Sequence, residues 1–213
     1  MRPLDEEPLV YLLVILTTLV AFGYLSLTLR KLGNCVEGCK GAFKINILGI
    51  FITGASLVLW RVIFSPPVPG YVFQAGALVG VLLYVLSIVT FRAFRIKKEL
   101  LLQIAAVFLP VLVVSLYAGQ TSELGLLVFI AFFESIMLLA LWWFLSVEML
   151  THFEKRNLRI ASWLVVLFAW LRSYQLTRNG ICLFYTALMV MFTSSVLLLY
   201  SAMVVYERAS RWL

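Results

Sequence analysis

Residues 124–147 read LGLLVFIAFFESIMLLALWWFLSV, an apolar run of 24 residues with one ionisable side chain, Glu134. As a helix rising 1.5 Å per residue it would extend ~36 Å, enough to cross a hydrocarbon core of ~30 Å. Five further runs approach or exceed the ~20 residues a crossing requires: Leu9–Leu29, Ile45–Phe64, Tyr71–Phe91, Leu100–Tyr117 and Ile181–Tyr206. A seventh, Ile160–Leu171, is shorter, with 11 apolar residues of 12 between Arg159 and Arg172. It covers only ~18 Å and crosses only if Arg172 snorkels outward and Ser173–Leu176 complete the span. A surface-lying helix would need a polar face, which this run lacks. The expected fold is therefore an all-α polytopic integral membrane helical bundle of seven transmembrane helices, with six as the alternative.

Composition agrees. Of 213 residues, 63% are hydrophobic and 13% charged, against ~45–50% and ~25% in soluble globular proteins. The mean hydropathy is +1.05. So much apolar surface cannot be hidden at this length, and lipid is the expected solvent. The connections are short, the longest being residues 30–44, so residues 1–213 read as a single transmembrane helical domain.

Basic residues set the expected orientation. Arg30, Lys31, Lys40 and Lys44 follow the first run, and Arg92, Arg95, Lys97 and Lys98 the third. Lys155, Arg156 and Arg159 follow the fifth, and Arg208 and Arg211 the last, so 13 of 17 basic residues fall on one side. The first run is too long for a signal-peptide core and is preceded by Asp5, Glu6 and Glu7, so it reads as a retained span. These features predict a multi-pass protein of the cell membrane with its N-terminus outside and, for seven spans, its C-terminus cytoplasmic. Six spans would give the same charge bias and reverse only the C-terminus. The net charge of +7 is thus explained by orientation, and no nucleic-acid partner is expected.

The polar inventory excludes several chemistries. One histidine, His152, and one aspartate, Asp5, leave no aspartyl-protease pair, no bis-histidine haem ligands and no histidine base at depth for a serine nucleophile. The last run has no lysine, which excludes a retinal Schiff base there. No cofactor is expected, and no enzyme, because no pair of catalytic groups converges at one depth.

Glu134 is the sharpest feature. It lies ten residues, ~15 Å, past Leu124 and close to the bilayer midplane. A bare carboxylate there is costly, so the group should face the bundle, be protonated or have a partner. It is the candidate ion, proton or polar centre, set against the plainer role of hydrogen-bonded glue between helices. Arg61 lies ~6 Å below Ser65 and either snorkels beside Trp60 or pairs with Glu134, which requires the second and fifth helices to meet. Gly76 and Gly80 form a GxxxG that lets another helix approach. Pro110, the one proline within a run, should kink the fourth helix and free the carbonyl near Ala106. Cys35 and Cys39 have CxxxC spacing and His152 could add a third ligand, but with no fourth these read as free thiols and a solvated histidine. Trp142, Trp143, Trp163 and Trp170 read as lipid-facing or interfacial.

A shift of 110 residues places Leu57, Trp60, Gly70, Ala77 and Leu78 on Leu167, Trp170, Gly180, Ala187 and Leu188. Spans one to three and five to seven would then be parallel units joined by the fourth. Shared membrane composition explains so few matches equally well.

The function expected is a non-enzymatic membrane protein that binds or moves a small solute or proton with Glu134 as its polar centre. The alternative is a sensory or accessory subunit that packs against a partner membrane protein. Expected partners are the lipid bilayer and either a second copy or such a membrane protein.

Overall fold

The computed structural model describes residues 7–32, 39–59, 70–91, 97–118, 122–145, 150–178 and 181–212. These residues form seven helices and no strand: α1 Glu7–Leu32, α2 Cys39–Val58, α3 Gly70–Phe91, α4 Lys98–Ala118, α5 Ser122–Leu145, α6 His152–Arg178 and α7 Ile181–Trp212. Leu, Val, Ile, Ala and Phe dominate each, and a helix satisfies its own backbone polar groups where no water can. Three of the helices contain segments long and apolar enough to cross a membrane: Lys98–Leu116, Leu127–Leu145 and Cys182–Arg211. Leu12–Thr28, Phe43–Val58 and Val72–Ser87 are shorter apolar segments. The short run Ile160–Leu171 belongs to a helix of 27 residues, α6, whose ~40 Å exceeds a membrane thickness although its ends are polar.

Six helices close a ring. Helix α1 packs on α2 and α7, α2 on α3, α3 on α5, α5 on α6, and α6 on α7. Helix α4 stands outside it, against α5 and α6. Exchanging α1, α2 and α3 for α5, α6 and α7 leaves every neighbour relation in the ring unchanged. That order is the one two three-helix units joined by α4 would produce.

Polar side chains tie the ring together. The Ser26 hydroxyl donates to the Asn46 carbonyl oxygen, and the Asn46 amide donates to Ser87 Oγ at 2.8 Å, joining α1, α2 and α3. Trp142 Nε1 donates to Gln103 Oε1 at 2.7 Å and Gln103 Nε2 to Ser162 Oγ at 3.0 Å, joining α4, α5 and α6. Thr18 and Ser195 share a hydrogen bond of 2.7 Å between α1 and α7. Ser26 and Ser87 lie late in α1 and α3 and Asn46 early in α2, while Gln103 lies early in α4 and Trp142 late in α5, so these packed neighbours run antiparallel.

Closest packing occurs between α2 and α3. A Cβ on Gly80 would lie 2.6 Å from the Thr53 backbone nitrogen and 2.7 Å from the Gly49 oxygen, while one on Gly76 would meet Ser56 Oγ. The GxxxG of α3 thus faces α2.

Pro110 lies within α4, so the Ala106 carbonyl has no amide four residues on to accept from. Trp170 Nε1 of α6 supplies the missing donor at 3.0 Å. Two other tryptophans depart from the lipid-facing expectation: Trp142 and Trp143 are buried. The reason is that α5 is enclosed, with 72% of its apolar segment buried against 22% for α4. Trp163 and Trp170 are exposed, as are Phe51, Leu86 and Leu116 on the outer faces of α2, α3 and α4.

Candidate functional site

Helix α5 carries Glu134 halfway along its length, twelve residues after Ser122 and eleven before Leu145. The side chain is 1% exposed, and neither carboxyl oxygen has a hydrogen-bond partner. It borders a cavity of about 160 Å³ at the centre of the ring. All six ring helices line that cavity and α4 does not.

The walls are apolar and aromatic. Phe22 comes from α1, Tyr84 from α3, Phe129 and Phe133 from α5, Phe168 from α6, and Leu188 and Met191 from α7. Phe22 and Tyr84 meet edge to face with centroids 4.9 Å apart, and Phe129 and Phe133 lie one turn apart at 5.8 Å. Helix α2 contributes Ile50, Thr53 and Leu57, and does not pack against α5 among the described residues.

Few polar groups reach this space, and most are committed elsewhere. Thr18 Oγ1 donates to the Val14 carbonyl at 2.7 Å or shares its proton with Ser195, and Thr53 Oγ1 donates to the Gly49 carbonyl at 2.8 Å. The Tyr84 hydroxyl is buried and lies beside the Ser26 and Asn46 side chains. Arg172 lines the cavity from α6, six residues before that helix ends. Its contacts lie toward the end of α6, at Gln175 and at Phe184 near the start of α7. The side chain is 8% exposed, donates to Gln175 Oε1, and lies over the Phe184 ring at 5.1 Å. No ion pair joins it to Glu134.

The sequence placed Glu134 at the centre but missed Tyr84 and Arg172. Tyr84 has no signal in a run as apolar as Tyr71–Phe91. Arg172 had one: Gln175 three residues on, where a helix brings the two side chains together. Arg61 lies outside the described residues, and so does Cys35. Cys39 opens α2, and His152 is exposed at the start of α6. Among the described residues no three potential metal ligands come together.

A second polar cluster lies at the end of the bundle where α6 begins and α7 ends. Thr151 and Glu154 form a reciprocal cap: the Thr151 amide donates to Glu154 Oε2 at 2.7 Å, and the Glu154 amide to Thr151 Oγ1 at 3.5 Å. Arg208 of α7 adds two hydrogen bonds to the same carboxylate, at 2.7 and 3.1 Å. Burial pushes the Glu154 carboxyl up, but the bonds from Arg208 and Thr151 outweigh it and hold the group below the ordinary carboxylate value. The T-x-x-E pattern of Thr151–Glu154 was a readable signal in the sequence.

Compared with known protein families, curated proteins and solved structures, the chain has no significant match.

Proposed function

We propose that this chain is a non-enzymatic multi-pass protein of the cell membrane that binds or moves a small solute or a proton through the central cavity, with Glu134 as its polar centre. The observation that carries the reading is the Glu134 carboxyl, buried in the wall of that cavity with both oxygens unpartnered. A residue retained as glue would be bonded to a neighbouring helix. Seven spans, an outer N-terminus and a cytoplasmic C-terminus are part of the proposal. The basic-residue bias supports them, as does the 27-residue length of α6.

The second reading is a sensory or accessory subunit. Its support is α4, which lies outside the ring and exposes Leu101, Leu102, Leu109, Leu112 and Leu116.

Glu134→Gln tests the first reading, because it keeps the shape and hydrogen bonding of the protonated carboxyl and cannot ionise. In reconstituted vesicles the variant should fold normally and lose proton or solute flux. Unchanged flux and pH response in a well-folded variant would leave the accessory reading ahead. A reporter fused after Leu213 should be accessible only from the cytoplasmic side; access from outside intact cells would remove the seventh span.

A further inference from the structure

The chemistry of the cavity narrows what the solute can be. A neutral apolar molecule would fill the space and leave the Glu134 carboxyl without a partner, at the full cost of a buried unsatisfied group. An anion could pair with Arg172 but would leave the Glu134 carboxyl unpartnered. A metal ion would require several oxygen ligands; calcium takes six to eight and magnesium an octahedral set. The residues lining the cavity carry five side-chain oxygens, two on Glu134 and one each on Thr18, Thr53 and Tyr84, fewer than either set, and those of Glu134 and Tyr84 are buried in the wall.

A protonated amine meets these conditions. Its N–H groups pair with the carboxylate, and the two charges neutralise each other where water cannot. Phe22, Tyr84, Phe129, Phe133 and Phe168 line the same space, and an aromatic ring attracts a desolvated cation that sits over its face. The volume of about 160 Å³ is close to that of an apolar cavity known to hold one benzene ring. Arg172, held by Gln175 and Phe184 on the cavity's other charged wall, would repel a second positive charge.

Resting on the reading of this cavity as a solute site, we propose that its ligand is a small organic monocation: a protonated amine on an apolar body of about one ring, held by Glu134. The amine would occupy the two unpartnered oxygens, and the apolar body would fill the space between α1, α3 and α6.

Benzylamine is a suitable probe for the purified full-length chain, by calorimetric titration at neutral pH, with benzyl alcohol as its uncharged counterpart and phenylglycine as its zwitterionic one. Benzylamine should bind one to one, more tightly than either. Glu134→Gln should weaken it by about tenfold or more, the loss of a charge-assisted hydrogen bond. Benzyl alcohol should bind parent and variant alike, which shows that the variant's cavity is intact. Equal affinity of the parent for amine and alcohol, or an undiminished amine affinity in Glu134→Gln, overturns the assignment. Tighter binding of phenylglycine also overturns it, since Arg172 would then be reading a carboxylate. No benzylamine binding, with Glu134-dependent proton flux intact, overturns the amine alone; with that flux absent too, the solute-site reading fails as well.

Discussion

In the α1–α3 unit Asn46 is 1% exposed and engages Ser26 through its oxygen and Ser87 through its nitrogen. In the α5–α7 unit Glu134 is equally buried and engages nothing. Burial alone would class the two together; partners separate them. Between lipid-embedded helices there is little hydrophobic drive, so close packing and interhelical hydrogen bonds hold the helices together. Asn46 is such a bond, placed beside the glycine seam of α2 and α3. Glu134 contributes no bond to any helix, which is what the proposed role in binding a solute or proton requires.

The largest effect expected is at the seam itself. Gly80→Ala would drive a methyl group into the backbone of α2 at Thr53 and Gly49, and overpacking of this kind costs typically ~1–3 kcal/mol. Gly23, on α1, has nothing within 4 Å of an added Cβ, so Gly23→Ala should be neutral or stabilising by up to about 1 kcal/mol. Reversible unfolding of both variants in micelles is the measurement. Equal stabilities would mean that α2 and α3 are not in close contact.

The contrast between the two buried polar residues comes next. Asn46→Leu removes two interhelical bonds and should destabilise by about 1–2 kcal/mol, taking each at the ~0.6 average for such bonds or somewhat above. Glu134→Leu removes a buried polar group that has no partner, and should raise stability by about 1 kcal/mol while abolishing solute or proton movement. The two changes therefore shift the unfolding midpoint in opposite directions. Destabilisation by both would make Glu134 a structural residue and erase the contrast.

How much of this was readable in advance depends on the physical scale of each feature. Helix positions follow from apolar length, and the structure has a helix at each of the seven runs. The order of the ring depends on contacts between residues far apart in sequence, and apolar runs of similar composition do not specify it. Pro110 shows the boundary well. Its cost to the Ala106 carbonyl is a local fact of proline, whereas the donor, Trp170, is 64 residues away. Trp142 and Trp143 were misplaced because tryptophan is favoured at lipid interfaces, although a helix apolar on every side, such as α5, is the one expected at the centre. Glu134 was legible because a charge is rare at that depth. Its lack of partners and the aromatic walls around it required the fold.

The smallest effect expected belongs to an ionised pair that the comparison leaves out. Glu154 is buried, whereas Arg208 is 30% exposed, so their interaction is partly screened and should contribute about 0.2–1 kcal/mol. The sign of its pH dependence follows from the direction of the shift. The folded state holds the Glu154 carboxyl below its unfolded value of 4.5, so the contribution is fully present above that value and fades as the pH falls through the folded one. Glu154→Gln keeps an acceptor for the Thr151 amide and removes only the charge. At pH 7 this variant should unfold slightly more easily than the parent, and the difference should fade as the pH falls below 4.5. Comparing the two proteins, rather than following one, cancels the titration of every other carboxyl. A difference that persists unchanged in acid would mean that the charge of Glu154 is not what separates the two proteins. The same titration repeated on Glu134→Leu should leave that difference unaltered, because the central cavity and the α6–α7 end share no polar contact among the described residues.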